Sequence, residues 1–110
     1  MKLLFIILNS ADTLEEVLEG LLEVGVTGAT VVDSVGMGRI IEEVPLFAGM
    51  RNVFRSAQPR NNMIFSVIND NQAAEAMEVL DKILGCSQEK GRGIAFTLPI
   101  DSSIGVCKEN

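Results

Sequence analysis

The sequence predicts a single α+β domain whose elements follow the order β-α-β-β-α-β. With 110 residues, 47% of them hydrophobic, the chain is large enough to bury one core of its own. Two segments carry apolar residues at helical spacing, and four short apolar or β-branched runs end in polar residues, glycine or proline. These three observations define the predicted domain, which spans residues 1–110.

The first half of the chain predicts a strand, a helix and a second strand. Residues 2–8 form a continuous apolar run of strand length. Asp12 and Glu15 have the spacing of a capping box and predict the start of an amphipathic helix, while Gly25 predicts its end. Residues 29–35 are β-branched and predict the second strand.

The second half repeats this pattern of elements. Residues 62–68 predict a third strand, and residues 69–71 supply cap residues for a helix over 72–84. Residues 93–98 predict a fourth strand that ends at a proline. Residues 103–107 are expected to add a short last strand.

This order is the split βαβ pattern of a ferredoxin-like sandwich, a four-stranded antiparallel sheet with two helices on one face. A long loop without periodicity, residues 37–61, joins strands two and three; loops of this length in a compact domain are usually functional or mobile. The second sheet face would be bare and apolar, so we expect the chain to form an oligomer. A monomer with a partly polar second face is the alternative.

Composition limits the classes of function. The net charge of −6 argues against binding to nucleic acid or to an anionic membrane, and no apolar run is long enough to span a bilayer. The chain has no histidine, and Cys86 and Cys107 lack metal-ligand spacing, so we expect neither a metal site nor a catalytic residue. We expect a cytoplasmic protein with reduced thiols, although a disulfide remains an alternative.

Two glycine-rich stretches carry the strongest functional signal. They are Gly36-Met37-Gly38-Arg39 and Gly91-Arg92-Gly93, each at the edge of a predicted strand. Glycine lets backbone amides approach a ligand, and successive amides beside an arginine bind anions. The stretches therefore predict a cleft that binds phosphate, as in a nucleotide; simple turns at strand ends are the alternative.

Residues 28–39 and 91–100 resemble the corresponding segments of the P-II nitrogen-regulatory signalling proteins, and the similarity extends over nearly the whole chain. The resemblance implies a ferredoxin-like homotrimer that binds an adenine nucleotide (AMP, ADP or ATP) as an effector in clefts between subunits. No tightly bound cofactor is implied. The resemblance assigns nucleotide contacts to these residues: Thr30, Gly36, Met37, Gly38, Arg39, Gly91, Arg92 and Gly93.

The long loop of such proteins controls a regulated partner such as a transporter or an enzyme, without direct insertion into the membrane. In this chain the loop combines arginines with apolar side chains, which predicts a docking surface for that partner. The residues concerned are Phe47, Met50, Arg51, Phe54 and Arg55. Alternatively, they fold back as a solvated loop with a small apolar cluster.

The chain also departs from the family pattern. Ile94 stands where the family has a phosphate-binding lysine, Ile40 replaces a glutamine, and Phe47 replaces the modifiable tyrosine. Tyrosine uridylylation is therefore excluded, and 2-oxoglutarate sensing is not expected. Arg92 can replace the missing positive charge, because a guanidinium binds phosphate in bidentate fashion. A ligand-free adaptor trimer of the same fold is the alternative function; an acylphosphatase-like enzyme is disfavoured, since residues 9–13 contain no arginine.

Overall fold

A computed structural model describes residues 1–37, 40–41, 61–85 and 92–106. Its elements confirm the predicted order. They are β1 (Lys2–Leu8), α1 (Ala11–Glu23), β2 (Thr30–Ser34), β3 (Asn61–Ile68), α2 (Asp70–Leu84) and β4 (Gly93–Pro99). The strand boundaries fall within one residue of those predicted, because short apolar runs with polar ends define strands well.

The four strands form one antiparallel sheet in the order β2-β3-β1-β4. Phe5 at the centre of β1 lies opposite Phe65 of β3 and Phe96 of β4. Both helices pack on one face, where the fully buried core comprises Leu4, Ile6 and Leu8 of β1, Val17 and Leu21 of α1, Ile64 of β3, and Ala76 and Leu80 of α2. The predicted ferredoxin-like sandwich is thus confirmed.

Helix α1 begins earlier than its predicted cap. Ser10, not Asp12, is the N-cap, and its hydroxyl accepts a hydrogen bond from the Asp12 amide at 3.3 Å. Asp12 lies in the first turn instead, where a carboxylate is favoured by the positive end of the helix dipole. The helix ends as predicted, because Gly25 adopts a positive φ of 85° just after it.

Helix α2 begins at Asp70, two residues before the predicted start, because Asn69 is its cap. The Asn69 side chain accepts from the Gln72 amide at 2.7 Å, and the Gln72 side chain accepts from the Asn69 amide at 3.2 Å. This reciprocal capping box satisfies two backbone donors at the helix start.

We expect Asn69→Ala to lower the free energy of unfolding by about 1 kcal/mol, since the helix loses its capping oxygen. Asn71→Ala is the matched control, because Asn71 is exposed in the same turn. Urea denaturation of both variants measures the difference. Equal destabilisation by the two substitutions would contradict the capping role.

The predicted last strand is not formed by residues 103–106, and Cys107 lies outside the described residues. The backbone leaves the sheet after Ile100, whose amide donates to the Met1 carbonyl at 3.3 Å. Beyond that point no described strand lies alongside to pair with this segment, and Ile104 is fully exposed. The prediction of a strand here was wrong, because it rested on local apolar residues alone and no described strand is available to pair with them.

The second face of the sheet is apolar, and neither of the described helices packs against it. We call it the open face; it carries Val32, Leu3, Phe5, Ile7, Met63, Phe65, Val67, Ile94, Phe96 and Leu98. Phe5 stacks on Phe65 and Phe96, with ring centroids 6.3 and 5.3 Å apart. Soluble monomers rarely leave so large an apolar surface in water, so the open face supports the expectation of an oligomer.

Candidate functional site

The described residues of the two glycine-rich stretches lie at the same end of the sheet. Ser34 ends β2 just before Gly36, and Gly93 begins β4. The register places Asp33, Asn62, Leu8 and Gly93 side by side across the four strands. The strand order nevertheless puts β2 and β4 on opposite edges, three strand spacings or about 14 Å apart.

The first stretch begins at the exposed end of β2. The Gly36 carbonyl accepts a hydrogen bond from the Ile40 amide at 3.4 Å, and Met37, Ile40 and Ile41 have helical backbone. Met37 is 67% exposed. Gly38 and Arg39 lie outside the described residues, so their assigned nucleotide contacts stay predictions.

Thr30 lies apart from this stretch within one protomer. It begins β2, four residues or about 13 Å along the strand from Ser34, and its side chain is exposed on the same side as Phe65. Thr30 and Gly36 therefore do not converge on one small group in a single subunit.

The second stretch is described from Arg92 onward, and Gly91 lies outside the described residues. Gly93 has a φ of 152°, and a Cβ atom there would clash with the Ile7 carbonyl oxygen and lie 3.2 Å from Leu8 Cα. Glycine is required here because β1 and β4 approach closely, independently of any ligand. The Arg92 carbonyl accepts from the Asn9 amide at 3.1 Å, which fixes the backbone beside the end of β1.

The Arg92 side chain is engaged with both helices. One terminal nitrogen lies 3.0 Å from a Glu16 carboxylate oxygen of α1, and the other donates to the Ile83 carbonyl in the last turn of α2 at 3.1 Å. The Arg92 side chain is 29% exposed and that of Glu16 is 51% exposed. The guanidinium expected to replace the family lysine thus has a carboxylate partner within its own chain.

Ile94, which occupies the lysine position itself, is on the open face opposite Ile7 and is 58% exposed. It offers apolar surface and no charge. In the described part of the chain, no group of three or more His, Cys, Asp or Glu residues is arranged to hold a metal ion. None of the helices described there has the length and apolar character needed to cross a membrane.

Polar contacts join the two ends of the long loop. The Asn62 side-chain amide donates to the Asp33 carboxylate at 3.0 Å, and the Ser34 hydroxyl donates to the Asn61 carbonyl at 3.3 Å. The sequence alone did not mark Ser34, Asn61, Asn62 or Glu16 as site residues. The signal that the sequence offered was polar residues at the end of β2 and at the start of β3, which can bond to each other where the long loop begins and ends.

The proposed docking residues of the long loop all lie outside the described residues. Their role in docking therefore stays a prediction, and so does the nucleotide contact assigned to Gly91. These docking residues are Phe47, Met50, Arg51, Phe54 and Arg55.

The described geometry is that of a small α+β protein with Gly36 and Arg92 at the same end of the sheet and with an apolar sheet face. Comparison with known protein families identifies the family of this chain. The sequence profile of the family described as nitrogen regulatory protein P-II matches residues 1–110. The chain therefore belongs to the P-II family of regulatory signalling proteins, as its sequence resemblance predicted. A search of curated proteins finds no individual match.

Proposed function

We propose that this protein is a cytoplasmic homotrimeric regulator that binds an adenine nucleotide between its subunits. The nucleotide would act as an effector, and the long loop would control a partner protein such as a transporter or an enzyme. The proposal includes no catalytic step. The observation that carries it is the placement of the described residues of both glycine-rich stretches at one sheet end but on opposite edges.

This placement suits a cleft between two copies of the chain. In a closed ring the contact between neighbours is heterologous, so one edge of a subunit faces a different edge of the next. The β2 edge of one subunit would then bring Gly36 close to Arg92 and Gly93 on the β4 edge of its neighbour. Burial of the open face around the ring axis would supply the association energy.

The described base of the long loop suggests how a ligand would act on it. The Asp33–Asn62 and Ser34–Asn61 contacts hold the two ends together, and the Gly36 carbonyl accepts from Ile40 at the start of the loop. A phosphate on the amides near Gly36 would favour loop conformations that keep those amides directed at it. A ligand shifts the loop equilibrium only by this difference in contacts.

A subunit-mixing experiment tests the composite site. Gly36→Val and Gly91→Val should each weaken nucleotide binding by about tenfold to a hundredfold, by obstructing amides that bind a charged phosphate. If the two variants are unfolded, mixed equally and refolded, about one quarter of the clefts in random trimers regain two unaltered stretches. Titration calorimetry with AMP, ADP and ATP should therefore detect restored sites.

A site contained within one subunit would show no recovery on mixing. Gly28→Val is the matched control, because a Cβ atom at Gly28 meets nothing within 4 Å. Native mass spectrometry of the same samples reports subunit number and bound nucleotide together.

The second candidate is a ligand-free adaptor of the same fold, and the Arg92–Glu16 ion pair favours it. A paired guanidinium is less available to phosphate, and Ile94 supplies no charge in its place. The adaptor function predicts flat titrations with all three nucleotides and no effect of Arg39→Ala or Arg92→Ala on partner binding. A nucleotide-dependent rise in the melting temperature would exclude it.

A further inference from the structure

The ion pair between Arg92 and Glu16 bears on which nucleotide the proposed cleft accepts. Each terminal nitrogen of the Arg92 guanidinium already makes one contact within the chain, one with Glu16 at 3.0 Å and one with the Ile83 carbonyl at 3.1 Å. Arg92 also lies directly between the two glycines of the second stretch. A phosphate at this stretch would meet a positive charge that already has a negative partner.

Glu16 differs from the other acids of its helix in this respect. Glu15 and Glu19 are exposed like Glu16, and no bond from either is found among the described residues. Glu16 alone reaches across to the start of β4, although it is 76 residues away from Arg92 in the chain. Its carboxylate is therefore placed to repel additional negative charge brought close to Arg92.

We infer that Glu16 is a specificity-determining residue, which competes with phosphate for Arg92 and biases the cleft toward nucleotides with few phosphates. This inference rests on the proposed nucleotide site. A monophosphate can be held by backbone amides with the ion pair intact. A triphosphate carries more charge past Glu16, and its contact with the Arg92 guanidinium has to compete with that carboxylate.

Glu16→Gln tests this competition, because it keeps the side-chain shape but removes the negative charge. We expect the affinity for ATP to rise about tenfold, while the affinity for AMP changes less than about threefold. Titrations use the full-length protein and no divalent cation, so that the nucleotide charge is not masked.

Two further variants separate this role from a general charge effect. Glu19→Gln removes the same charge one helical turn away without releasing Arg92, and should leave the ATP-to-AMP ratio at its wild-type value. In Glu16→Gln/Arg92→Ala the gain for ATP should disappear, since the released guanidinium is gone. Thermal unfolding of each variant confirms that it is folded before titration.

The inference is overturned if Glu16→Gln alters the affinities for AMP and ATP equally or not at all, or if Glu19→Gln produces the same selective gain. Nucleotide binding by the wild-type protein together with such a result would leave the proposed function intact. Absence of nucleotide binding in both the wild type and Glu16→Gln would overturn both proposals. Selective ATP binding by Glu16→Gln alone would support the competition and show that Glu16 closes the site to ATP.

Discussion

Phe96→Lys is expected to dissociate the proposed homotrimer into monomers. Phe96 lies on the open face, is 37% exposed and stacks on Phe5. In a ring built on this face, every subunit would lose an apolar contact and bury an ammonium group without a partner. The total cost should reach about 6 kcal/mol per trimer, or about four orders of magnitude in the association constant.

Light scattering after size-exclusion chromatography measures this loss as a fall in mass. Leu22→Lys is the matched control, because Leu22 is also an exposed apolar residue but lies on α1, on the other face of the sheet. It should leave the mass unchanged. An unaltered mass for Phe96→Lys would show that the open face is not the subunit contact.

Gly93→Ala should destabilise the fold by about 3 kcal/mol or more. The residue combines a φ of 152° with a position where a Cβ atom would meet the Ile7 carbonyl. A strained backbone costs about 1–3 kcal/mol, and steric overlap in a packed region costs a similar amount. Because the clash involves backbone atoms, it can be relieved only by moving β1 and β4 apart.

The free energy of unfolding in urea, at one fixed protein concentration, measures this effect. Gly28→Ala is the control, since its φ is not in the positive region and the added methyl group meets open space. We expect it to change stability by less than about 0.5 kcal/mol. If both alanine variants were equally stable, the close approach of β1 and β4 would not be what requires glycine at position 93.

The fold was largely predictable from local sequence. The apolar run of β1 and the cap residues before α2 identified these elements because the relevant contacts lie within a few residues. The start of α1 was misassigned since both Ser10 and Asp12 suit a helix start, and only the backbone direction decides between them. The segment after Pro99 has no partner strand in the part of the chain that the structure describes, and no local pattern reveals this.

The sequence indicated which residue types a candidate site would use but not how they are arranged. The glycine stretches indicated both loops, and the register then placed them at one sheet end. The pairing of Arg92 with Glu16 joins residues far apart in the chain, so Glu16 looked like any other acid of a solvated helix face. The separation of β2 from β4 follows from strand order, which depends on the whole topology.

The pairing of Ser34 with Asn61 has a consequence for how this protein can diversify. The chain leaves β2 at Ser34 and enters β3 at Asn61, and these two residues pair directly, so the connection between them is an excursion whose ends are held together. Doubling the length of such an excursion costs only about 0.6 kcal/mol in closure entropy. New recognition segments can therefore be inserted between β2 and β3 while the strands keep their register.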